Sequence, residues 1–157
     1  MSEEIQALEI LDAGGLRIGV ARSRFNDVVT AGLTAGAVEY LEAAGASFTV
    51  HNAPGAFELP LVAAHLLDNG CDAVVALGAV IEGDTDHYEH VASRASEGLM
   101  QVMVSRGKPV AFGILTVREE AQALARSQPG SGNKGAEAAA AAVETAILIR
   151  DLEGELD

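Results

Sequence analysis

The chain has 157 residues, about half of them hydrophobic, a net charge of −13 and one cysteine, Cys71. That length suffices for one domain over residues 1–157 with a buried core, and a lone cysteine excludes an internal disulfide and points to an intracellular, cytoplasmic setting. Two lysines, Lys108 and Lys134, cannot build the basic patch that nucleic acid or an anionic membrane surface would require.

The acidic start, MSEEIQALEI, lacks the basic opening of a targeting peptide. No apolar run approaches membrane-spanning length. Within residues 1–15, Ile5, Leu8, Ile10 and Leu11 follow no clear period and read as an N-terminal arm or edge strand, closed by a turn at Asp12-Ala13-Gly14-Gly15. Leu16 to Ala21 is the first convincing strand. A helix follows to about Ala44, with Val29, Leu33, Ala37, Tyr40 and Leu41 on one face, Asn26 as N-cap and Gly45 as C-terminal stop.

Ala46 to Asn52 is rich in β-formers and predicts a second strand. Pro54 to Pro60 turns into a helix that Pro60 can start and that ends at Asp68-Asn69-Gly70. Asp72 to Leu77 is apolar without alternation, as a strand covered on both faces should be. The chain then breaks at Gly83 and passes a polar turn to His87. Val91, Ala95, Leu99 and Val102 have helical spacing up to about Ser105. Pro109 to Leu115 predicts a fourth strand, and Thr116 with Glu119 forms a capping box for a short helix to about Ser127. The last helix, rich in alanine, runs from near Asn133 to about Leu152.

Strands alternating with helices imply a parallel sheet with right-handed crossovers and helices on both faces. The fold expected is an α/β, three-layer, flavodoxin-like sandwich around a central parallel four-stranded sheet. Such sheets bind ligands at the carboxyl ends of their strands, so the residues there are the candidates. After the first strand stand Phe25 and Asn26, a flat apolar face beside an amide. After the second come Gly55, Ala56 and Phe57, with Glu58 behind them. The third brings Val80, Ile81, Gly83, Asp84, Thr85 and His87; the fourth brings Phe112, and Arg126 and Lys134 flank the turn between the last helices. Each has a bland reading. An isolated Phe is more often core than ligand platform, Glu58 and Arg126 suit the dipoles of their helices, and Lys134 suits a solvated surface.

Five motifs in order change that balance: RFN at 24–26, PGAFELP at 54–60, G-x-T-x-H-Y at 83–88, FGILT at 112–116 and GNKG at 132–135. From about Leu16 to Leu152 the chain closely resembles the 6,7-dimethyl-8-ribityllumazine synthases of riboflavin biosynthesis. The resemblance implies a cofactor-free condensation of 5-amino-6-(D-ribitylamino)uracil with 3,4-dihydroxy-2-butanone 4-phosphate, with loss of phosphate and water. It further implies that Phe25 stacks on the pyrimidine, that Ala56-Phe57-Glu58 holds the ribityl chain and that Val80 and Ile81 give backbone contacts. It makes the Gly83-Asp84-Thr85 turn and Arg126 the phosphate site, and His87 the proton-transfer group. Phe112, Arg126 and Lys134 would come from a neighbouring subunit of a pentamer. The short turn from Gln128 to Gly132 favours pentamers assembled into an icosahedral 60-mer, and riboflavin synthase is a candidate partner; no metal is implied. Two departures stand out: Glu82 where many members carry Arg or Lys, and Asp84 where a small residue is frequent. Carboxylates beside a phosphate turn repel the ligand unless they are turned away. Different readings are a flavin- or lumazine-binding relative without turnover, a shell protein, and a flavodoxin-like FMN domain. The last lacks the Ser/Thr/Gly-rich loop it would need after the first strand.

Overall fold

The structure is a computed structural model that describes residues 8–156. In chain order its elements are β1 (Arg17–Ser23), α1 (Asp27–Ala44), β2 (Ser47–Ala53), a 3-10 turn (Ala56–Glu58) that leads into α2 (Leu59–Asp68), β3 (Ala73–Ile81), α3 (His87–Arg106), β4 (Val110–Val117), α4 (Glu120–Arg126) and α5 (Lys134–Leu156). The strands form one parallel sheet in the order β2-β1-β3-β4.

β3, AVVALGAVI, carries no polar side chain and is buried along all but its last residue. Such a strand has to be covered on both faces, and the two covers share its residues by alternation. Ala73, Val75, Leu77 and Ala79 face one cluster with α1, α4 and α5, including Leu33, Leu41, Ala123 and Val143. Val74, Ala76 and Val80 face the other, built from Leu59 and Ala63 of α2 and Ala95 and Leu99 of α3. The α1 face predicted by helical spacing, Val29, Leu33, Ala37, Tyr40 and Leu41, is buried throughout.

The strand order fixes where a ligand can enter. From β1 the chain steps outward to β2, then crosses back to place β3 on the other side of β1. The connections leaving the carboxyl ends of β1 and β3 therefore part in opposite directions and open a crevice there.

Where α1 and α5 cross, glycine decides the distance. A Cβ at Gly135 would run into the Leu33 carbonyl, and one at Gly36 into the Asn133 side chain. Asn133, almost fully buried, donates from Nδ2 to the carbonyls of Gly32, Ser127 and Gln128 at 3.0, 3.2 and 3.1 Å. Its Oδ1 accepts from the Ala136 N–H at 3.0 Å and starts α5. On the opposite face, Arg106 of α3 reaches Asp68 of α2 with two bonds of 3.3 Å. That guanidinium holds the Asp68 carboxyl below its usual range.

Four expectations change. Leu8 to Gly15 forms no strand, and residues 1–7 lie outside the described range. The segment's backbone is tied to a side chain instead: the Tyr40 hydroxyl donates to the Glu9 carbonyl at 2.9 Å and accepts from the Leu11 N–H at 3.3 Å. β3 extends four residues beyond Leu77, because β4 continues beside it and pairs Val80 with Thr116 and Ile81 with Val117. With Thr116 inside a strand, the capping box shifts to Glu119 and Gln122. Asn26 does occupy the N-cap position of α1, but in the left-handed region (φ 63) and without a side-chain cap. Its Nδ2 donates across the sheet end to the Ala79 carbonyl at 3.0 Å.

Candidate active site

At the crevice between β1 and β3 lies a cavity of about 550 Å³. Its walls are Phe25 beyond β1, Pro54 to Glu58 beyond β2, Ala79 to Ile81 at the end of β3, and His87, Tyr88, His90 and Val91 on the first turns of α3. Phe25 and Phe57 are 71 and 59 % exposed, so neither is a core residue despite its type. The floor is the apolar end of the sheet. Polar chemistry enters from one carboxylate, Glu58, and from two imidazoles and a phenol on α3.

The turn into α3 spaces these groups. The Thr85 hydroxyl accepts from the His87 N–H at 3.3 Å and so takes one of the free donors at the helix start. The Asp86 carboxylate lies 3.6 Å from His90 Nε2, one helical turn on. Glu82 lies 3.7 Å from Arg118, beyond β4, and its carboxylate does not line the cavity. Among the described residues no group of three or more His, Cys, Asp or Glu is placed to hold a metal ion, and no helix is long and apolar enough to cross a membrane.

A crevice with aromatic walls, a histidine at a helix start and the motifs in register is what one family would show. The family model described as 6,7-dimethyl-8-ribityllumazine synthase matches residues 15–150. The chain belongs to this family. Similar proteins of that name include one from Clavibacter michiganensis subsp. michiganensis, 51% identical over 146 residues, with 92% of this chain and 91% of the relative covered. Those from Kineococcus radiotolerans and Nitratidesulfovibrio vulgaris are 48% and 44% identical, covering 89% and 90% of this chain and 89% and 94% of the relatives. Membership makes the chain an enzyme of transferase type with the condensation function of lumazine synthases in riboflavin biosynthesis.

Of the lumazine synthase residues expected from sequence, the cavity gathers Phe25, Gly55, Ala56, Phe57, Glu58, Val80, Ile81 and His87. Asn26, Gly83, Asp84 and Thr85 stand beside it without lining it. Phe112, Arg126 and Lys134 lie elsewhere. Phe112, 49 % exposed, shares a separate depression of about 290 Å³ with Lys134, whose ammonium is 2.9 Å from Glu137. Arg126 is exposed and donates to the Gln122 carbonyl of its own helix at 2.9 Å.

Five lining residues were not among the expected ones: Pro54, Ala79, Tyr88, His90 and Val91. Val91 and His90 were accessible by spacing, since they lie four and three residues beyond His87 and share its helix face. Within GNKG, the expectation rested on Lys134, whereas Asn133 and Gly135 have fold-building roles that the motif alone does not separate.

Proposed function

We propose that this chain condenses 5-amino-6-(D-ribitylamino)uracil with 3,4-dihydroxy-2-butanone 4-phosphate without a cofactor, in a site shared between neighbouring copies in the cytoplasm. The observation that carries the shared site is the exposure of Phe112, Arg126 and Lys134 away from the cavity that Phe25, Glu58 and His87 line. A phosphorylated substrate needs positive charge, and this cavity has no Lys or Arg in its walls. A neighbour that brings Arg126 and Lys134 to the cavity mouth supplies it.

In this reading Phe25 stacks on the pyrimidine, the Gly55–Glu58 segment holds the ribityl chain, and the Val80 and Ile81 backbone meets the ring. Gly83, Asp84 and Thr85 receive the phosphate with Arg126. His87 takes and returns the protons of amine addition and dehydration, a task suited to imidazole near neutral pH. Much of the acceleration comes from holding two reactants together. The 1–157 chain acts as one domain, in pentamers assembled into an icosahedral 60-mer, with riboflavin synthase as a partner that consumes the product.

The test follows lumazine fluorescence against an enzyme-free control, in wild type, Phe25→Ala and Arg126→Ala. Wild type should exceed the control, and each variant should fall well below wild type, Arg126→Ala through its KM for the phosphorylated substrate. Co-assembly of the two variants should then regain part of the activity, because some sites receive an intact Phe25 and an intact Arg126 from different copies. No gain on co-assembly would overturn the shared site, and wild-type rates equal to the control would overturn catalysis.

A further inference from the structure

The turn that feeds α3 carries an excess of negative charge: Glu82, Asp84 and Asp86 lie within five residues, followed by Glu89. An anionic substrate arriving there is opposed by every carboxylate left uncovered. Two of the four have partners. Glu82 faces Arg118 at 3.7 Å, and Asp86 faces His90 at 3.6 Å. His90 differs from Arg118 in one respect: it also lines the cavity, as His87 and Glu58 do. With no Lys or Arg in the cavity wall, His87 and His90 are the two lining groups of this chain that can carry positive charge.

We propose that His90 is a positioning residue for the phosphate-bearing substrate. Its ring, 3.6 Å from the Asp86 carboxylate, covers that negative charge beside the turn where the phosphate is received. His87 is thereby left free for proton transfer. The division follows from the helix: Asp86 and His90 are i and i+4, so their side chains meet on one face, whereas Asp86 and His87 are adjacent and diverge. The inference rests on the lumazine synthase reading, because it needs a phosphorylated substrate.

The pair is solvent-exposed, with 69 % of the His90 side chain and 79 % of the Asp86 side chain accessible. Its effect is therefore small, and folding is not at risk in the variants. His90→Gln should raise the KM for 3,4-dihydroxy-2-butanone 4-phosphate about twofold to fivefold, the range of an exposed ion pair. The kcat and the KM for the aminouracil should stay near wild type. Adding Asp86→Asn to His90→Gln should bring the KM back, because the charge that needed covering is gone. An unchanged KM in His90→Gln, a double variant that keeps the raised KM, or a fall in kcat with unchanged KM would each overturn the proposal. Wild-type turnover in the same assay separates the two readings. If it is absent, lumazine synthase activity fails and this inference falls with it; if it is present, the variants judge His90 alone.

Discussion

The two helical layers that cover the sheet solve different problems. The α1/α5 layer is closed within the chain: glycines at the crossing admit backbone to backbone, alanines fill the seam, and Asn133 bonds one carbonyl of α1 and two of the loop before α5. The α2/α3 layer is left open. It bears the cavity, and its outer surface exposes Leu61, Met100 and Val104 at 64, 55 and 71 %. The first layer also exposes single apolar side chains, Val28 at 74 % and Leu148 at 54 %, but the cavity with its aromatic walls lies on the side of the second.

Substitutions can break this contrast, and the largest effect should come from the closed layer. Gly135→Leu sets a side chain against the Leu33 backbone, which cannot yield as a side chain could. A loss of about 3 kcal/mol or more is expected in urea unfolding, and a variant as stable as wild type would show that the crossing is loose. Asn133→Ala strips a bond from three carbonyls and should cost roughly 2–3 kcal/mol by the same measurement, with the turnover of the remaining folded protein unchanged. In the open layer the pattern reverses. His87→Ala should slow condensation by about a hundredfold and still leave it above the uncatalysed rate, with stability within about 0.5 kcal/mol of wild type. Complete loss with substrate binding intact would assign His87 more than proton transfer.

The smallest effect belongs to the bond between Arg106 and Asp68. Because Arg106 lowers the Asp68 pKa, the bond contributes stability above the ordinary carboxyl range, and this is lost as pH falls through the lowered value. The melting temperatures of wild type and Arg106→Gln should therefore differ slightly at pH near 6 and converge below about pH 3. A gap that widens in acid would contradict that sign.

The strands and helices were legible because hydrophobic spacing reports burial, and burial on both faces of β3 is written in AVVALGAVI. The ends of elements were less so. Whether β3 stops at Leu77 or Ile81 is decided by a neighbouring strand far away in sequence, and the same pairing draws Thr116 out of the helix cap. At the cavity, chemistry-bearing residues at strand ends were visible from motif and position. His90 was accessible by its spacing from His87, but that it lines the cavity depends on a helix rotation set by the packing of Ala95 and Leu99. That Phe112 and Lys134 sit apart from His87 accords with the expectation, carried by the resemblance alone, that they serve a neighbouring copy.

The brace made by Asn26 limits what mutation can do at this position. At φ 63, Gly, Asn and Asp are the residues that bear the conformation at little cost. Glycine offers no side chain to reach Ala79, and aspartate would turn a carboxylate oxygen toward the Ala79 carbonyl in place of an N–H donor. A single atom exchange, amide nitrogen for oxygen, converts a link between two strands into a repulsion at the back of the cavity. The same exchange occurs without any genetic change when an asparagine deamidates, so the integrity of this amide sets how well the crevice keeps its shape as the protein ages.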